Sequence, residues 1–414
     1  MADKIIKTYL WITGLFTLSA SLIWGINTLF LLSAGLDIFQ VFLINAIFTF
    51  SMALFEIPTG VIADTVGRRI SFLLSTFVLF LGTMGYVYAA ELTKNLNLFI
   101  GMSIVLGVAF TFYSGAVEAW LVDALNHVGY NKDLEHVFSK GAGISSMAML
   151  VGTLSGGFLG SLHLSIPYLV RAFTIVSAFT VAFFFMKDIG YDKKPLNAQT
   201  YIPTMQNIWN KSIEFGIKQS SIRKLMTINM FFSSFMMWGW YAWQPYFLEL
   251  YGNSDAVWIA GIISALISLS MSVSSFMVPK IMSLFSKRTF YLQLIYICQT
   301  VLIFIVGYTN QFLVAVSAYI AFAFLMGLSG PVKQAYFHSL IPSEQRATVV
   351  SFDSLVGALG GAAGQPVLGY YSNEIGVGFC YRVSSILIAL TVPVTYRLGH
   401  MNDPINDIKK PSND

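Results

Sequence analysis

Charge is what this sequence has least of. Only 11% of its 414 residues are Asp, Glu, Lys or Arg, against 56% that are hydrophobic. Soluble domains carry about 25% charged residues. A water-exposed fold with so few would leave large apolar patches bare, which excludes an ordinary soluble enzyme or binding domain. Cysteine is nearly absent as well. Cys298 and Cys380 both lie in apolar runs, form no metal-ligand spacing and read as small packing residues. The five histidines, His127, His136, His163, His338 and His400, are scattered, and no H-E-x-x-H occurs. No G-x-x-x-x-G-K-[ST] loop is present to bind a nucleotide. No metal site and no cofactor are therefore expected. The net charge of +4 comes from basic residues in short loops between apolar runs, which gives no reason to expect a nucleic-acid partner.

What is there is apolar sequence in long runs. A helix crossing the hydrocarbon core needs about 20 mostly apolar residues. Runs of that kind centre near residues 21, 50, 80, 109, 150, 176, 236, 266, 298, 321, 358 and 386, twelve in all. The first, from Leu10 to Ser33, follows a short basic start, yet it is too long for a signal peptide and reads as an uncleaved span. With the N-terminus inside, 21 of the 24 Lys and Arg fall on inside segments, Lys94 alone lies in an outside loop, and Arg171 and Arg382 lie near the outer ends of spans. Positive-inside asymmetry of that strength requires an even span count. The expected fold is an all-α membrane protein of twelve transmembrane helices with both termini cytoplasmic.

The longest polar interruption, 187–224, divides the spans six and six. The expected organisation is an N-terminal six-helix bundle at 1–186, a cytoplasmic linker at 187–224, a C-terminal six-helix bundle at 225–400 and a disordered tail at 401–414. Within the linker Ile202, Met205, Ile208, Trp209, Ile213 and Phe215 recur at roughly helical spacing, as in an amphipathic helix on the membrane face. A plain flexible linker remains the alternative. The halves echo each other. Gly60 to Arg69 closes span two, and Pro279 to Arg288, with its own basic pair, closes span eight. Span five holds Gly152, Gly156, Gly157 and Gly160, and span eleven holds Gly361, Gly364 and Gly369. Two related bundles that rock about a midplane site are what alternating access needs; chance likeness of Gly-rich runs is the bland alternative.

Gly60, Asp64, Gly67, Arg68 and Arg69 complete the pattern G-x-x-x-D-x-x-G-R-[KR] in the inside loop after the second span. That resembles the signature of the major facilitator superfamily. Glu56-Ile-Pro-Thr-Gly60, Ser114 to Asp123 and Leu340 to Ser351 look like a branch of bacterial facilitators that export drugs or metabolites. Span five departs from the family's antiporter pattern G-x-x-x-G-P-x-x-G-G. Gly157 stands where that pattern has proline, and Ser161 stands where it has the last glycine. The resemblance implies two pseudo-symmetric six-helix bundles and a cavity lined by spans one, four, seven and ten. It also implies a cytoplasmic latch in which Arg68 meets Asp123 and Asp64 faces the start of span eleven near Thr348–Ser351. Arg68 and Arg69 as mere topology signals are the plainer reading.

Ionisable residues inside a membrane are costly and so are functional candidates. Glu118, Glu56 and Asp353 are the candidate proton carriers; each alternatively pairs or caps at the inner membrane edge. Arg171 and Arg382 either snorkel, pair structurally or attract an anionic substrate. Lys333 and His338 close span ten near the inner interface. Span seven, rich in aromatics, offers Trp240, Tyr241 and Gln244 as substrate-cavity residues, with Asn27 and Tyr113 from spans one and four. An outer aromatic belt is the competing reading for Trp243 and Tyr246. The expected function is secondary active transport of a small amphipathic molecule, drug-like or metabolite, by proton-coupled efflux. The partners are that substrate, protons and the lipid bilayer of a bacterial cytoplasmic (inner) membrane, with the protein acting as a monomer. A siderophore-like metabolite exporter and a nutrient uptake symporter are the alternatives. A non-transporting sensor and an intramembrane enzyme are more remote.

Overall fold

Lipid offers a backbone no hydrogen-bond partners, so an apolar chain of this length satisfies its own amides by coiling into helices. A computed structural model describes residues 1–130, 134–190, 218–341, 346–401 and 404–408. Among these residues there is no strand, only an isolated bridge between Lys287 and Asp407. The amphipathic segment expected around 202–215 lies outside the described residues.

Two compact units divide the chain, Met1–Leu196 with Asn253–Ala265, and Asn197–Gly252 with Leu266–Asp414. The first holds α1 (Ala2–Trp24), α2 (Asn27–Ser33), α3 (Ile38–Val66), α4 (Arg68–Tyr88), α5 (Leu96–Tyr113), α6 (Ala116–His127), α7 (Leu134–Leu162) and α8 (Ile166–Phe185). The second holds α9 (Ser220–Tyr251), α11 (Arg288–Tyr308), α12 (Phe312–Ser339), α13 (Arg346–Glu374), α14 (Val377–Ala389) and α15 (Thr391–Gly399), while α10 (Val257–Met282) divides between the units. Ten helical stretches among the described residues are long and apolar enough to cross a membrane. The helices α9 and α13 are long too, 32 and 29 residues, but are interrupted by polar side chains.

Local chemistry sets the ends. Asp37 begins α3 with a capping box, accepting from the Gln40 amide at 2.8 Å while Gln40 returns a bond to the Asp37 amide at 3.1 Å. Asn95 caps α5 by accepting from the Asn97 amide at 2.9 Å. The fourth apolar run, expected to be one span, breaks between α5 and α6 at Ser114–Gly115, where Gly115 takes φ +71°. Continuous hydropathy hid that break, because nothing in it registers a residue with left-handed backbone.

Glycine seams join the best-packed helix pairs, α1 with α7 and α9 with α13. A Cβ at Gly156 would lie 1.9 Å from the Leu22 carbonyl oxygen, and one at Gly364 would lie 2.0 Å from that of Ser234. Gly152 sits equally close to Ser21, and Gly157 lies against Gly261. The span-five motif is thus a packing surface here. In lipid no hydrophobic force drives helices together, so close backbone approach of this kind supplies the cohesion.

The tail expected to be disordered is not wholly so. Residues 404–408 fold back onto the start of α11, and Asn406 is 3% exposed. It ends the polar run with an amide that finds a helix terminus to satisfy, as described below. Arg171 is likewise 3% exposed, so it is a buried arginine and does not snorkel.

Candidate functional site

The signature loop is organised by a residue the sequence pattern does not contain. Helix α4 begins after Gly67, which has φ +125° and no side chain with which to cap the helix. Asp188, just beyond α8, takes that place: its Oδ1 accepts from the Arg69 amide at 2.9 Å, and a Cβ at Gly67 would sit 2.3 Å from its Oδ2. Arg69 donates to the Phe183 carbonyl at 2.6 Å and lies 5.4 Å from the Phe183 ring centroid. Trp120 anchors the same segment by donating to the Lys187 carbonyl at 2.7 Å. Arg68 Nε lies 3.9 Å from Asp123 Oδ2, at ion-pair distance but beyond hydrogen-bond reach. Gly60 is exposed, and a Cβ there would meet nothing within 4 Å. The side chains of Asp64 and Thr348 lie outside the described residues.

The counterpart loop of the second unit uses the same device with different chemistry. Helix α11 follows Lys287, which supplies no side-chain cap. Asn406 accepts from the Thr289 amide at 3.0 Å and donates to Thr289 Oγ1 at 3.0 Å. Arg288 donates to the carbonyls of Ile405 and Asp407.

At the broken fourth span, Glu118 occupies the first turn of α6, where the positive helix end favours a carboxylate. Tyr9 and Tyr113 lie within its electrostatic reach. Tyr113 stacks on Phe16 with ring centroids 3.6 Å apart. Glu118 and Glu56 are both exposed at the protein surface. Near the other end of this unit a recess of about 500 Å³ contains Glu91, Lys94, His163, Ser165 and Asp255. Ser165 donates to Glu91, and His163 Nδ1 lies 3.7 Å from Glu91 Oε1. Glu91, Lys94, His163 and Asp255 are exposed, so the recess opens at the protein surface.

The polar cluster of the second unit is built differently. Lys333 on α12, expected near the interface, is half-buried and donates through Nζ to Asn229 Oδ1 on α9 at 2.9 Å. Asn229 donates in turn to the Asp353 carbonyl on α13 at 3.1 Å. Asp353 is half-buried, its Oδ1 is enclosed, and no group among the described residues hydrogen-bonds to that oxygen. The three residues face a cavity of about 350 Å³ that Gln334, His338 and Ser354 also line, with Leu225, Phe337 and Val350 as its apolar wall. Sequence reasoning picked out Asp353 but missed Asn229. The available signal was a lone amide about two turns into an apolar helix, in the half that also holds Lys333.

The aromatics of α9 turn inward. Trp238 and Trp243 are fully buried, with Tyr319 and Tyr381 beside them. Trp243 donates to the Trp240 carbonyl at 3.0 Å, Tyr319 to that of Gly239 at 2.8 Å, and Tyr246 to that of Val306 at 3.0 Å. Tyr246 is therefore core, not belt. Gln244 is 0% exposed, whereas Trp240 and Tyr241 are half-buried. Asn27 is also structural here: it accepts from Tyr168 at 2.9 Å and donates to Asn45 at 3.4 Å, with 8% exposure.

A YxaM protein of Bacillus subtilis (strain 168), an uncharacterized MFS-type transporter, is 21% identical over 392 residues, 92% of each chain. A point mutant of the nucleoside transporter NupG superposes with a TM-score of 0.72 at 12% identity, covering 96% of this chain and 100% of its own. A D-xylose–proton symporter superposes with a TM-score of 0.69 at 13% identity, over 96% of this chain and 97% of its own. These likenesses show the fold. The family profile of the Major Facilitator Superfamily matches residues 9–365, which agrees with the glycine-seamed helical units and the signature loop, and the chain belongs to that superfamily of multi-pass membrane transporters.

Proposed function

We propose that this chain is a proton-coupled secondary active transporter of a small amphipathic molecule. The observation that carries the reading is the Asn229–Lys333–Asp353 cluster. A lysine and a carboxylate are costly inside membrane helices, and they face a cavity of about 350 Å³, within the range of small-molecule sites. Asp353 offers a carboxyl that can gain and lose a proton as access alternates. Reading α9 and α13 as spans brings the helical count to twelve, with both termini cytoplasmic and the protein a monomer in a bacterial cytoplasmic membrane. The bacterial relative supports that location. In the first unit, Arg68–Asp123 acts as a cytoplasmic latch, a two-state element whose breaking frees the other conformation.

Export by antiport, in the manner of drug–proton antiporters, is supported by the motif resemblance around Glu56 and Asp123. Uptake by symport is favoured by a different observation, the Lys333–Asp353 arrangement developed below. The test is reconstitution of the purified chain in liposomes with an internal pH dye. Substrate addition is expected to move protons in the wild type and not in Asp353→Asn. Substrate movement with no proton signal in the wild type refutes the coupling.

A further inference from the structure

The cavity of the second unit is chemically lopsided. Lys333 has three N–H donors, and Asn229 Oδ1 takes one at 2.9 Å. The Asn229 amide nitrogen donates to the Asp353 backbone carbonyl, so this residue ties the ammonium to α9 and α13, while the Asp353 carboxylate acts on the ammonium through its field and not by direct contact. No ion pair within 4 Å joins Lys333 and Asp353 among the described residues, and the enclosed Asp353 Oδ1 accepts no hydrogen bond from them. The titratable groups on the wall are Lys333 and His338 from α12 and Asp353 from α13, while α9 contributes Leu225 and Asn229, neither of which titrates. A cationic ligand would meet the ammonium and find the Asn229 oxygen already used. An anion would find remaining ammonium donors, with the Ser354 hydroxyl and Gln334 amide nearby.

We propose that this cavity binds a small amphipathic carboxylate on the Lys333 ammonium and carries it together with a proton held by Asp353. This rests on the transport reading above and adds the substrate class and the stoichiometry. The argument is charge balance. The empty site holds one ammonium and one carboxylate, Lys333 and Asp353, whose charges balance. An anion alone makes it negative, and a proton alone makes it positive. An anion with a proton restores neutrality. Net charge is expensive in a membrane interior, so the empty and the fully loaded site are the two forms suited to reorientation. That is symport, one carboxylate with one proton, and it is electroneutral. Phe337, Leu225 and Val350 receive the apolar part of the substrate.

The test uses the full chain in detergent and in liposomes. Benzoate, phenylacetate and indole-3-acetate are screened by thermal shift, each beside its neutral amide and the corresponding amine. At least one carboxylate is expected to raise the unfolding temperature while its amide and amine do not. Lys333→Gln is expected to weaken that carboxylate by at least about tenfold, the loss of one charge-assisted contact. Lys333→Arg is expected to retain it, and Asp353→Asn to bind it still. In liposomes the bound carboxylate is expected to enter with internal acidification that is unaltered when valinomycin and potassium clamp the membrane potential. Asp353→Asn is expected to exchange the carboxylate without acidification. That variant keeps the inference testable if Lys333→Gln does not fold. Binding by no carboxylate, preference for an amine or amide, or undiminished binding in Lys333→Gln overturns the inference. Proton movement with an amine or amide overturns the carboxylate assignment and leaves proton-coupled transport standing. A carboxylate that binds at Lys333 yet moves without protons overturns the coupling and leaves the anion site standing.

Discussion

Helices α4 and α11 occupy equivalent places in the two units, each beginning at a basic pair, and neither carries its own N-terminal side-chain cap. In both, a polar side chain from beyond the unit's last helix reaches back to the second residue of the helix: Asp188 to the Arg69 amide, Asn406 to the Thr289 amide. The geometry is repeated and the chemistry is not. The first unit uses a carboxylate, a glycine at φ +125° and a nearby Arg68–Asp123 ion pair. The second uses an amide and backbone carbonyls around Arg288. Membrane-embedded charge shows the reverse allocation, since the half-buried Lys333–Asp353 cluster lies in the second unit, whereas Glu118 and Glu56 of the first are exposed. A repeated fold therefore keeps the position that must be satisfied while letting the satisfying group differ.

The largest effects test the feature both units share. Gly156→Val and Gly364→Val each push a side chain into a carbonyl about 2 Å away. The cost is expected to reach about 3 kcal/mol or more per site, with loss of the monodisperse peak in size-exclusion chromatography. Tolerance at one site and collapse at the other breaks the equivalence. Next comes the point of difference. Gly67→Ala places a Cβ against Asp188 on a backbone that favours glycine, at an expected cost of about 2 kcal/mol, read as a lowered unfolding temperature. Lys287→Ala, at φ −130°, is expected to change little. Third, Asp188→Ala and Asn406→Ala are each expected to cost about 1 kcal/mol, the usual worth of a lost cap. The Asp188 effect is expected to shrink in 1 M salt and the Asn406 effect to persist. Removing residues after Met401 is expected to reproduce Asn406→Ala. The smallest effect is Gly60→Ala, within about 0.5 kcal/mol, since its Cβ meets open space.

The helical architecture and the signature loop were legible in the sequence because hydropathy runs and a ten-residue pattern are local. The caps were not. Asp188 and Asn406 are each more than a hundred residues from the amide they serve, and nothing local marks them. Asn406 even sat in a segment whose polarity read as disorder. The glycines of the fifth span were visible, but only the structure pairs Gly156 with the Leu22 carbonyl and Gly157 with Gly261. The α9 aromatics were visible as well. Their inward orientation was not, because a buried core and an interfacial aromatic belt draw on the same residue types. For the candidate site, Asp353 was legible as a carboxylate within an apolar run. Lys333 was visible as a cation near the end of an apolar span, but its partner Asn229 comes from another helix.

One measurement bears most directly on the central claim: substrate-driven proton flux in liposomes holding the wild type, Asp353→Asn or Glu118→Gln. The account expects the flux to vanish in Asp353→Asn and to persist in Glu118→Gln, whose carboxylate is exposed. Wild-type flux in Asp353→Asn, with loss in Glu118→Gln, would contradict it and move proton handling to the broken helix of the first unit.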